Sequence, residues 1–123
     1  MSAGFTDEAI ILATAPLHES DTQLDVLTRA HGSRRGIVKG GAGARSRGTL
    51  QAGNHIALRW KARLPTHMGT MHAELLHPYF AWIAHDKLRL QVSQAALTLC
   101  RLHLYDQEEN AALYHALTEL HAL

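Results

Sequence analysis

Between Arg29 and Arg63 the chain carries nine of its twelve Lys and Arg residues and not one Asp or Glu. The nine are Arg29, Arg34, Arg35, Lys39, Arg45, Arg47, Arg59, Lys61 and Arg63, while the whole 123-residue chain has a formal net charge of only +1. Residues 1–28 hold Asp7, Glu8, Glu19, Asp21 and Asp25 without a single Lys or Arg, and residues 64–123 hold six acids and three bases. A solvated strand face or loop normally mixes both signs. Nine like charges in one stretch repel each other, and that crowding is relieved by a polyanion. The chemistry this pattern offers is the binding of phosphates by charge.

Other chemistries find little support. Gly40 to Gly48 holds four glycines, Arg45 and Arg47. Its Gly41-Ala42-Gly43 could open a dinucleotide fingerprint, but Ser46 stands where the third glycine belongs. Gly43 to Gly48 has Walker A spacing, yet Thr49 occupies the lysine position, so the β- and γ-phosphates lack their charge partner. The segment therefore reads as a flexible cationic loop able to close over a phosphodiester backbone. His67, His72 and His77 recur every five residues, a spacing that alternates faces on a strand and does not converge on a metal. The ten histidines read mainly as surface groups that gain charge below about pH 6.5. Ser20 and Ser46 lack a nucleophile elbow, and the single cysteine, Cys100, reads as helix packing. No catalytic constellation, metal site or cofactor is expected.

The elements that must position the cations are β first and α second. Ala9 to Ala13 is an apolar run before Pro16, suited to a strand buried on both faces. Leu24, Val26 and Leu27 mark a second strand, and Arg34 to Lys39 a third. Asn54 to Leu64 alternates cleanly: Ile56, Leu58, Trp60, Ala62 and Leu64 on one face, with Arg59, Lys61 and Arg63 on the other. Trp60 thereby belongs to the core. A fifth strand is expected from His67 to about Leu76. Tyr79 to Ala84 reads as a short turn or helix. Asp86 is a candidate N-cap for a helix with Leu88, Val92, Ala95, Leu99 and Leu102 at helical spacing, and Leu113, Ala116, Leu117 and Leu120 mark another. That last helix reaches Leu123 without a stop signal, so the chain reads as the first part of a longer protein.

The order of segments resembles a known family. His18-Glu19-Ser20-Asp21 is followed by Leu27-Thr28-Arg29-Ala30-His31-Gly32, then Val38-Lys39-Gly40-Gly41-Ala42, then Gly48-Thr49-Leu50-Gln51-Ala52-Gly53. Over about residues 6–78 this series is similar to the N-terminal domain of the bacterial DNA repair protein RecO family. Ala52 departs from a proline common after the Leu-Gln pair, and family members run to about twice this length. The resemblance implies a five-stranded OB-fold barrel over residues 1–78 and the start of a helical domain over 79–123. It also implies binding of single- and double-stranded DNA, strand annealing, and cooperation with RecR in loading RecA. Contact with single-strand-binding protein is implied for the region beyond this chain. On the family pattern, Arg34, Arg35, Lys39, Arg45 and Arg47 match DNA-binding positions.

Together with the strand cations Arg59, Lys61 and Arg63, those five make the candidate contact set. The leading reading is a non-enzymatic DNA-binding recombination mediator. Its rival is a protein-interaction module whose basic face docks an acidic partner. No apolar run approaches the roughly 18 residues of a membrane span, no basic-then-apolar leader opens the chain, and one cysteine agrees with a reducing cytoplasm.

Overall fold

A computed structural model of the chain describes residues 3–63, 68–103 and 111–123. Five strands come first: β1 (Ala3–Leu17), β2 (Asp21–Thr28), β3 (Ser33–Val38), β4 (His55–Ala62) and β5 (Gly69–His77). A helical turn, α1 (Ala44–Arg47), interrupts the β3–β4 connection. Three helices follow: α2 (Tyr79–Ile83), α3 (Lys87–His103) and α4 (Ala111–Ala122).

β1 holds the barrel together because it is long enough to serve two neighbours. Residues 3–10 pair with β4 and residues 9–17 with β2, with a register shift between Ile11 and Ala13. β2 pairs with β3, and β5 lies between β3 and β4, so the pairings form the ring β1-β2-β3-β5-β4. The strand pairs are antiparallel except β3–β5, which is parallel and only two residue pairs long. One of those pairs is Gly36 opposite Gly69. A Cβ on Gly36 would lie 2.6 Å from Met71 Cγ, and one on Gly69 would overlap Trp60 Nε1. The ring closes where two strands cross the core side chains without side chains of their own.

The alternation expected from the sequence is observed. Ala9, Ile11, Leu24, Val26, Leu50, Ile56, Leu58, Trp60 and Met71 fill the barrel. Ile10, Leu12 and Leu27 point outward and are covered by Leu97, Cys100, Tyr114 and Leu117 of α3 and α4. The Ala9–Ala13 run expected to be buried on both faces is so as far as Leu12, and Ala13 is half-buried. Each such aliphatic side chain contributes roughly 1.5–3 kcal/mol on burial. Burial also pushes the Cys100 thiol up.

The structure corrects several expectations. β1 does not end before Pro16 but runs to Leu17, with Pro16 opposite Thr22. There β1 pairs with β2 alone among the described strands, the edge setting in which a strand tolerates proline. Asp86 does cap α3, its Oδ1 accepting from Arg89 N–H at 3.2 Å. The helix, however, buries Ser93, Leu97 and Cys100, whereas Leu88, Val92, Leu99 and Leu102 are exposed. α3 is apolar on two sides, and spacing alone does not say which one meets the barrel. Leu64 and His67 lie outside the described residues.

Candidate nucleic-acid interface

The nine cations divide into two groups. At the β2–β3 end they are held by neighbours. Arg29 Nη1 donates to Glu8 Oε2 at 3.1 Å, and its Nε lies 3.9 Å from Asp7 Oδ1. Arg35 Nε donates to Asp25 Oδ1 at 2.7 Å, because the β2–β3 register sets Asp25 opposite Arg35. Arg34 falls on the inward row of β3 with Gly36 and Val38. Its guanidinium covers the barrel mouth, 4.8 Å from the Trp60 ring centroid and 5.1 Å from that of Phe5. Its Nε donates to His31 O at 3.1 Å. Such a cation over aromatic faces is a favourable contact.

Asp7 organises this end of the barrel. Its side chain is 3% exposed. It accepts from Glu8 N–H at 2.7 Å and from Ala30 N–H at 2.8 Å, and Oδ2 lies 2.9 Å from His31 Nδ1. His31 in turn stacks on Phe5 at 4.0 Å. One carboxylate from β1 thus fixes the β2–β3 turn.

The remaining six are Lys39, Arg45, Arg47, Arg59, Lys61 and Arg63, all exposed. None of them forms an ion pair among the described residues. Lys39 follows the end of β3. Arg45 and Arg47 project from α1, so the glycine segment contains a helical turn. Beyond the glycine segment, Leu50 pins this connection into the barrel core. Asn54, 1% exposed, secures it further. Its Nδ2 donates to Gly48 O and Thr49 O at 3.0 Å, while Oδ1 accepts from Phe80 N–H at 3.0 Å. Sequence reasoning passed over Asn54 because nothing local marks its partners, which span residues 48–80.

Period two along β4 aims Arg59 and Lys61 out of the barrel, as expected, while Ile56, Leu58 and Trp60 face in. Thr6 on β1 and His72 on β5 flank Arg59, and Thr70 lies opposite Lys61. Glu74, one step further along β5, is the exposed carboxylate on this wall, 3.8 Å from His72.

Two histidines expected at the surface are buried instead. His55 sits at the helix-covered end of β4, with Nε2 2.6 Å from Tyr114 Oη and 3.4 Å from Glu8 Oε1. Its Nδ1 lies 2.8 Å from His77 Nδ1. Burial holds the His55 pKa below its ordinary value against the pull of Glu8, and His77 and Arg29 add to the lowering. The Tyr114 phenol is pushed up to about 12, chiefly by burial. Tyr114 therefore stays protonated and can donate to His55 Nε2. His121 is 2% exposed. Ser93 Oγ donates to its Nε2 at 2.6 Å, and its Nδ1–H donates to Leu117 O at 2.8 Å. Burial lowers its pKa, opposed by the Leu117 carbonyl. No cluster of His, Cys, Asp or Glu fit to hold a metal occurs among the described residues. No described helix is long and apolar enough to cross a membrane.

Barrel, flanking helices and uncompensated surface cations define the class: a five-stranded barrel consistent with the OB-fold, carrying a cationic wall and loop. Comparison with known sequences sharpens this. Residues 1–79 match the family model described as "Recombination protein O N terminal". The DNA repair protein RecO of Rhodospirillum centenum is 38% identical over 112 residues, covering 91% of this chain and 45% of the relative. That of Acidiphilium cryptum is 37% identical over 116 residues, covering 94% and 46%. That of Dinoroseobacter shibae is 34% identical over 120 residues, covering 92% and 50%. The chain belongs to the RecO family. It spans about half the length of the curated relatives it matches.

Proposed function

We propose that this chain is the DNA-binding part of a recombination mediator in DNA repair, and that it acts by charge without catalysing a reaction. The observation that carries this reading is the set of six exposed cations without carboxylate partners among the described residues. Each phosphate they neutralise releases condensed counterions, which is the main source of affinity in sequence-independent binding. Two strands held in one positive field also repel each other less, which favours annealing. In this reading residues 1–78 form the DNA-binding barrel and residues 79–123 begin a helical domain. Membership of the RecO family supports both single- and double-stranded DNA as ligands, and RecR as the protein partner with which RecA is loaded.

A filter-binding salt titration with mixed-sequence oligonucleotides tests the proposal. Six phosphate contacts give a slope of log K against log salt of about −5 for duplex and about −4 for single strands. Sequence should matter little, because phosphate contacts carry no base information. Absence of saturable binding near physiological salt would overturn the DNA reading. It would leave the basic surface as a docking site for an acidic protein.

A further inference from the structure

The outward face of β4 reads His55, Ala57, Arg59, Lys61 from its helix-covered end to its open end. The cationic wall therefore continues along one strand face into the aromatic cluster around His55. That cluster contains His77, which is exposed, Tyr79, which is buried, and Trp82, which is 53% exposed. His55, His77 and Tyr79 are nearly parallel. The interplanar angle is 8° between the two histidines and 10° between His77 and Tyr79. Trp82 stands edge-on to Tyr79 at 5.2 Å and lies 6.2 Å from His77.

Most of these groups have a structural use. His55 joins the barrel to α4 through Tyr114, and Tyr79 is buried between His55 and His121. Trp82 does not share it: a large indole held in place by two rings keeps about half its surface open. Rigid, solvent-facing aromatic rings beside a track of cations are what sequence-tolerant single-strand binders use. The cations hold the backbone, and an unpaired base stacks on the ring. A duplex cannot use such a platform, because its bases are already stacked on one another.

We propose that Trp82, backed by His77 and Tyr79, is a base-stacking platform for single-stranded DNA whose backbone runs along β4 to Arg59 and Lys61. Four residues separate His55 from Arg59, about 13 Å at strand rise. That distance is about four nucleotides at stacked spacing, and His77, stacked on His55, links Trp82 to this strand. Of the carboxylates near this path, Glu8 is engaged by Arg29 and Glu74 lies beside His72. The platform rests on the DNA-binding reading above and adds to it a preference for unpaired bases.

The chain reports on the platform directly, because its other tryptophan, Trp60, is 2% exposed inside the barrel. Titration with a thymine homopolymer should quench the Trp82 emission, while a duplex of equal length should leave it nearly unchanged. Trp82→Ala should weaken single-strand binding about tenfold and leave both duplex affinity and salt slope as they were. Because Trp82 is half exposed, the variant should keep the wild-type melting temperature. Trp82→Phe should recover most of the lost affinity. If the wild type binds both forms of DNA but Trp82→Ala changes neither affinity, or changes both equally, the platform is overturned and DNA binding survives. If the wild type binds neither form, the DNA reading itself fails.

Discussion

The β2–β3 end of the barrel and the β4 wall carry the same residue types and use them in opposite ways. At the β2–β3 end, Arg29 and Arg35 meet carboxylates from the acidic first segment, and Arg34 lies over Phe5 and Trp60. On the wall and the α1 loop, Arg59, Lys61, Arg63, Arg45, Arg47 and Lys39 are exposed and form no ion pair among the described residues. The difference lies in the neighbouring strand. β3 pairs with β2, which brings Asp25, whereas the part of β1 beside Arg59 and Lys61 offers Thr6 and Gly4. Arg35 meets a carboxylate because the ladder sets Asp25 opposite it, whereas Arg59 and Lys61 have Thr6 and Gly4 opposite them on β1.

The largest effect that could break this comparison comes from Asp7, the anchor of the structural end. Asp7→Ala removes the acceptor for Ala30 N–H and Glu8 N–H and the partner of His31 in a nearly closed setting. Leaving such groups unsatisfied should cost about 2–3 kcal/mol, read as a lower midpoint in urea unfolding. The salt slope of DNA binding, measured where the variant is still folded, should stay as in the wild type. A shallower slope would mean that this end of the molecule also contacts DNA.

The second effect sharpens the division from the other side. Replacing Arg59 and Lys61 together by Ala should reduce the duplex salt slope by about 2. Stability should stay within about 0.5 kcal/mol, as for surface substitutions generally. Arg35→Ala should do the reverse, lowering the unfolding midpoint while leaving the slope nearly intact. If both variants flatten the slope equally, the Asp25 partner does not withhold Arg35 from phosphate and the two regions are one surface.

Much of this arrangement was legible in the sequence, for reasons that also mark its limits. Strict alternation from Ile56 to Trp60 fixed which side of β4 meets the core, and so which side carries Arg59 and Lys61. The unbroken run Ala9–Ala13 announces burial on both faces, which holds as far as Leu12, and Asp86 announces the start of α3. These are local patterns. The apolar stripe Leu88, Val92, Ala95, Leu99 and Leu102 was a sound helical pattern but the wrong face. What selects Ser93, Leu97 and Cys100 is contact with α4 and the outside of β1, including the Ser93–His121 hydrogen bond across 28 positions. The same holds for Arg34 and Arg35. Their charge was plain, but their engagement depends on a register and a barrel mouth that charge counting does not contain. His55 and His121 looked like members of a surface set because composition says nothing of depth.

Those two histidines supply the smallest effect and a last way to separate structural from available charge. Both are neutral in the fold, with pKa values lowered by burial from the ordinary 6.5. The unfolded chain therefore binds more protons than the folded one once the pH drops below about 6.5, and stability falls with acidification in that range. The groups facing His55 are His77, Tyr114, Tyr79, Glu8 and Arg29, of which only Glu8 favours its charged form. His121 faces Ser93, Leu117 O and the Tyr79 ring. The melting temperature should be constant from pH 8 to 7 and then decline by a few degrees by pH 5.5. His121→Gln removes one of the two titrations, so its melting curve should start lower and depend less on pH. Exposed histidines respond in the opposite sense, adding positive charge as pH falls, so DNA affinity at fixed salt should rise over the range in which stability declines. If affinity and melting temperature fell together with a common midpoint, the loss of binding would be unfolding, and the buried and exposed histidines could not be told apart.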